Sequence, residues 1–220
     1  MSGFYSFLTG SMLWISFIVF VGGSLFNIIK MFVTINKKEK QLLSYISLKH
    51  SFRSILRWSV PFGATNMRLH PFMTIATFAF HICLITAPVF ILSHVVLLEE
   101  SLGLIWIFVI PDHIGDAMAI IVVGACLFFL LRRLFLPEVR FVTSASDFIM
   151  LAIVAAPFIT GILAYRQCVN YNFFIAAHII SGEAMLMAIP FTRLSHMLFA
   201  PFVRAFAGSE FRGVRHARDW

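Results

Sequence analysis

Charge is scarce in this sequence. Asp, Glu, Lys and Arg make up 12% of its 220 residues, where a soluble domain carries about 25%. Hydrophobic residues make up 60%, and the mean hydropathy is +0.91. Together these exclude an ordinary soluble domain and point to a polytopic membrane protein. At roughly 20 residues per crossing, the length allows four to six spanning helices. Cysteine is nearly absent as well. Cys83, Cys126 and Cys168 stand far apart. No CxxC pair suggests an iron–sulfur site, and no CxxCH suggests covalent c-type haem. All three read as small core residues. The opening MSGFYSFLTG lacks the basic region of a signal peptide, so the first apolar run is expected to be retained. There is no internal repeat and no low-complexity tract.

What is present is apolar runs and histidine. The runs place five spans at roughly 10–33, 71–97, 114–131, 148–164 and 173–200. In lipid only a helix satisfies the backbone of such runs when nothing signals a β-barrel. The expected fold is therefore all-α: one membrane domain over residues 1–220, a bundle of five transmembrane helices. The 34–70 connector is basic and partly amphipathic, and reads as lying along a membrane face or against a partner. Of 17 Lys and Arg, 16 fall on one side of the bundle, and Arg166 falls on the other with Glu99, Glu100, Asp112 and Asp116. The positive-inside rule then places the N-terminus outside and the C-terminus in the cytoplasm. The net charge of +7 reads as topology, with no support for nucleic-acid binding.

Imidazole is costly to bury in hydrocarbon without a partner. Of eight histidines, His50 and His216 lie in basic segments and read as solvated. His70 and His113 sit at helix starts, where capping explains them. His81 and His94 remain on the second span, with His178 and His196 on the fifth. A lone histidine in a membrane helix is commonly a hydrogen-bonding core residue. Two on each of two helices suggest paired axial ligands for b-type haem. His94 and His178 each lie about 8 Å inside the outer edge, and His81 and His196 lie about 20 and 27 Å deeper than their helix-mates. Depth thus predicts an outer pair, His94 with His178, and an inner pair, His81 with His196. The 18 residues between His178 and His196 make five whole turns, one face of one helix. Thirteen residues separate His81 from His94, which does not return to one face, and Pro88 between them predicts a kink. A rival ligand set takes His70 with His81, eleven apart on one face, but it fails on depth.

Several segments resemble a known family. "FHI" at 80–82, "AAHIISGEA" around His178 and "IPFTRLSHM" ending near His196 resemble the ligand segments of the haem-bearing gamma subunit of respiratory nitrate reductase. "RRLFLPEVRFVTSASDF" resembles that family's basic connector, and "PDHIGD" at 111–116 resembles its branch in sulfate-reducer membrane complexes, including the small cytochrome b subunit of the high-molecular-weight cytochrome c complex. The likeness covers four of the five spans. It departs at the gap of 13 between the second-span histidines, which is shorter in the nitrate-reductase subunit. The resemblance implies a diheme cytochrome b of the cell inner membrane. Such a subunit exchanges electrons between a quinone, menaquinone or another, and a cytoplasmic iron–sulfur subunit, within a complex holding further membrane and periplasmic redox subunits.

A quinone site needs a polar group that exchanges protons near a haem edge. Asp112, His113 and Asp116 stand at the outer start of the third span, where the bland reading is carboxylates favoured by the helix dipole. Glu183 lies inside the fifth span, about 8 Å below His178, and has to be protonated, paired or in contact with water. Arg193, one turn before His196, and Arg68 are candidates to pair with haem propionates. For both, snorkelling to the interface is the alternative. Two other classes stay open: a proton-conducting transporter using Glu183, and a haem-free anchor subunit.

Overall fold

In the computed structural model, which describes residues 2–38, 40–103, 106–168 and 170–219, the chain is helical. The elements are α1 (Ser2–Phe7), a π-helical turn (Leu8–Met12), α2 (Leu13–Lys38), α3 (Lys40–Ser44), α4 (Leu48–Ser59), α5 (Thr65–Leu69), α6 (Pro71–Phe90), α7 (Leu92–Leu102), α8 (Asp112–Phe135), α9 (Pro137–Phe141), α10 (Ala145–Tyr165), α11 (Tyr171–Ala188), a 3-10 turn (Arg193–Ser195) and α12 (His196–Gly213). There is no strand among the described residues, only a single bridge between Ile91 and Ile110.

Four helical runs are long and apolar enough to cross a membrane: Gly3–Lys38, α6, α8 and α10. A fifth crossing is reached if α11 and the Arg193–Gly213 stretch count as one broken span. Only 17–22% of the most apolar stretch of each of the four is buried inside the protein. Those helices therefore turn most of their apolar surface outward, which suits a hydrocarbon solvent and not water. Polar side chains sit inside: Ser16, Ser51, Ser54 and Ser209 are buried, while Ile18, Phe26 and Ile29 are exposed.

The chain forms two compact units. One comprises the residues up to Leu13 with Ala76–Met185, and the other Trp14–Ile75 with the residues from Leu186 on. In the first, α8 packs along α10, over a core that includes Phe80, Cys83, Val122, Cys126, Val154 and Phe158. Ser144 and Asp147 start α10 with a reciprocal cap, the Asp147 carboxylate taking the Ser144 N–H at 2.8 Å. In the second, α4 packs along α12.

Two expected spans are broken, and both breaks move a histidine. The second span does not run from 71 to 97. It ends at Phe90, and Ile91, extended at φ −65° and ψ 137°, restarts the chain as α7. The fifth does not run from 173 to 200 but stops at Ala188. Pro190 has no N–H to continue the ladder. Thr192 closes the break by donating to the Ala188 carbonyl at 2.7 Å and accepting from the Leu194 N–H at 3.2 Å. In α2, Gly23 leaves the space that Pro190 fills, since a Cβ there would come within 2.9 Å of the ring. Asn27, one turn on, donates to the Pro190 carbonyl at 2.6 Å. His196 therefore begins a new helix, and the five-turn argument that put it on one face with His178 does not hold.

Candidate functional site

The site is built from the break at Ile91. In an unbroken helix the Pro88 carbonyl would accept from the Leu92 N–H. Here Leu92 N–H donates instead to the Ile110 carbonyl at 2.9 Å, and Ile110 N–H donates to the Phe90 carbonyl at 2.6 Å. The Pro88 carbonyl is left for the His94 ring, whose Nδ1 donates to it at 3.0 Å. Asp112 fixes the start of α7. Its Oδ1 accepts from the Ser93 N–H at 3.2 Å and the Ser93 hydroxyl at 2.9 Å, as an N-cap borrowed from the neighbouring helix. The 13 residues between His81 and His94 thus cross this restart at Ile91, while Pro88 stays within α6.

His178 on α11 is seated by α10. Its Nδ1 donates to the Pro157 carbonyl at 2.8 Å. Gly161, one turn further along α10, leaves room for the ring: a Cβ there would stand 3.0 Å from the same nitrogen. A proline and a glycine four apart, both unfavourable inside a helix, thus form one seat.

The two seats bring His94 and His178 together. Their ring centroids are 5.7 Å apart and their planes differ by 21°. A metal–imidazole bond is about 2 Å, so an iron held between two imidazoles sets their centroids roughly 6 Å apart. A carbonyl oxygen only accepts, so each Nδ1 carries the proton and each Nε2 keeps its lone pair. This is the tautomer an axial ligand needs, with the outer bond that orients it already made. His81 and His196 show the same habit, Nδ1 donating to the Thr77 carbonyl at 2.8 Å and to the Arg193 carbonyl at 2.9 Å. Among the described residues no group of three or more His, Cys, Asp and Glu converges to hold a metal. His94 and His178 are thus brought together as a pair of imidazoles, without further side chains of these types around them among the described residues.

The remaining candidates divide between the units. In the first, Asp112 reaches the helix of His94 through Ser93. Asp116 accepts from the Arg166 guanidinium at 2.8 Å, and that bond raises Arg166 above its ordinary value. His113 is exposed. Glu183 is 4% exposed, and neither of its carboxyl oxygens has a hydrogen-bond partner among the described residues. In the second unit, Arg68, His70, Arg193 and His196 are exposed. His50, expected to be solvated, is instead half-buried beside α12: its carbonyl lies where a Cβ on Gly208 would come within 2.8 Å. His81 and His196 fall in different units.

The seats themselves were not anticipated. Pro157 and Gly161 are the local signal for one. Ser93 and the pairing of Ile91 with Ile110 depend on a segment 19 residues away, and local sequence gives no sign of them.

No family model matches the chain. A protein of Nitratidesulfovibrio vulgaris (strain Hildenborough), named "Protein", is 37% identical to it over 211 residues, which is 94% of this chain and 93% of that one.

Proposed function

The chain belongs to one family with that Nitratidesulfovibrio vulgaris protein, and we propose that it is a membrane-integral cytochrome b subunit whose His94 and His178 take the two axial positions of a b-type haem. The observation that carries this is the stacked pair of imidazoles, each with Nδ1 tied to the backbone carbonyl of a proline. When bound, haem supplies reversible one-electron transfer. The residues supply the rest. Pro88 and Pro157 hold the tautomer and raise the basicity of each ring. Gly161 sets the depth of His178, and Asp112 and Ser93 hold the helix that aims His94.

The same proposal carries a second haem, held by His81 and His196, on the sequence alone. Asp112, His113 and Asp116 are its quinone-facing groups, at the end of α8 beside the His94 helix. Quinol oxidised there releases protons on that side while electrons move away from it. The basic segments then form the cytoplasmic face, where an iron–sulfur subunit docks by charge, and the membrane is the cell inner membrane.

Haem per chain in single variants tests the reading. His94→Ala and His178→Ala each lose the same haem and keep any other. Retention of full haem content in both variants overturns the assignment. A second reading, a proton path, rests on the buried, unbonded carboxyl of Glu183. It predicts a colourless protein whose proton leak in liposomes disappears in Glu183→Gln.

A further inference from the structure

Helix α4 presents three faces. One is packed against α12: Ser51 donates to the Ala205 carbonyl at 3.1 Å and shares a hydrogen bond with Ser209 at 2.9 Å, Ser54 is fully buried, and Arg204 lies over the Trp58 ring at 3.9 Å. The second is an apolar ridge one turn apart in each step, Leu48, Phe52 and Leu56, exposed by 84%, 63% and 48%. The third, alongside it, is Lys49, Arg53 and Arg57 at the same spacing, all exposed. Residues 34–70 carry seven Lys and Arg and one acidic residue, Glu39.

We propose that α4 lies in the interfacial plane of the bilayer, with Leu48, Phe52 and Leu56 among the acyl chains and Lys49, Arg53 and Arg57 on the phosphates of anionic lipid headgroups. Three observations select lipid as the occupant. The helix is tied at both ends to membrane-crossing helices, α2 ending at Lys38 and α6 beginning at Pro71. Its first face is already taken by α12, which fixes the roll of the helix. An apolar ridge flanked by a basic one is the pattern that buries in the headgroup–acyl boundary of an anionic leaflet. A docked protein would not need the two stripes to be segregated in this way. The inference stands apart from the haem reading, because no haem candidate lies on α4.

The test uses the full-length chain in lipid nanodiscs of phosphatidylcholine and phosphatidylglycerol. Nitroxides are placed singly by Phe52→Cys and Arg53→Cys in a Cys168→Ser background, with the buried Cys83 and Cys126 left in place. The label at 52 is expected to relax with oxygen and to be shielded from an aqueous nickel chelate, and the label at 53 to show the reverse. Native mass spectrometry then reads the lipids retained by the chain. The preference for phosphatidylglycerol over phosphatidylcholine falls on the order of tenfold in Lys49→Ala/Arg53→Ala/Arg57→Ala, which keeps Ser51 and Ser54 on the face packed against α12. If the label at 52 meets the chelate as readily as that at 53, α4 stands off the bilayer and the proposal is overturned. An unchanged lipid preference in the triple variant overturns it as well.

Discussion

Gly161 is where a single hydrogen decides the site. A glycine inside a helix costs about 1 kcal/mol relative to alanine, so Gly161→Ala should stabilise α10 if nothing touched it. The added methyl would instead stand 3.0 Å from His178 Nδ1, and the ring would have to move by some tenths of an ångström. The expected outcome is a chain of equal or higher thermal stability whose outer haem is partly lost or spectrally altered. Unchanged haem spectra in Gly161→Ala would mean the ring is not held where the structure holds it. Glu183 is the second residue of this kind. Its two carboxyl oxygens, buried and without a hydrogen-bond partner among the described residues, are a standing cost. Glu183→Gln should therefore leave folding and haem content intact, and a redox-linked proton uptake that vanishes in that variant would assign it to proton handling.

At the scale of elements, the restart of α7 is held by one borrowed cap. Asp112→Ala removes the acceptor of both Ser93 bonds and should cost about 1 kcal/mol, as loss of an N-cap does. Ser93→Ala keeps the backbone bond and should cost less. Thermal release of the outer haem orders the two variants, and the reverse order would contradict the capping account. The elements also show where the sequence was legible. Apolar length gave the runs now seen in Gly3–Lys38, α6, α8 and α10, because length and polarity are local. The breaks were not legible in the same way. Pro88 drew attention, yet the proline itself stays within α6. The helix ends two residues later, at Phe90, where Ile91 pairs with Ile110. Pro190 did stand in the sequence, but a proline alone kinks a span as readily as it ends one. Gly23 and Asn27 on a helix far away in the chain hold this one open. Depth, which depends only on rise per residue, led to the expectation that His94 meets His178, and their ring centroids lie 5.7 Å apart. The angular argument for His178 and His196 failed because it needed an unbroken helix.

For the whole molecule, the features to be joined are outward-facing apolar helices, a stacked pair of imidazoles and a charge distribution that the sequence pattern expects to be one-sided. The proposed reading puts 16 of the 17 Lys and Arg on one side of the membrane and therefore expects the C-terminus in the cytoplasm. A green fluorescent protein fused there should fluoresce, and an alkaline phosphatase fused there should be inactive. The reverse result would invert the proposed direction of charge separation. The account as a whole turns on one point, that His94 and His178 ligate the same iron. Electron paramagnetic resonance of the oxidised, purified chain reads this most directly. It should show low-spin ferric haem with two imidazole ligands, and His94→Ala should convert one such signal to high spin or remove it. A chain without haem, or a His94→Ala spectrum identical to that of the parent, would contradict it.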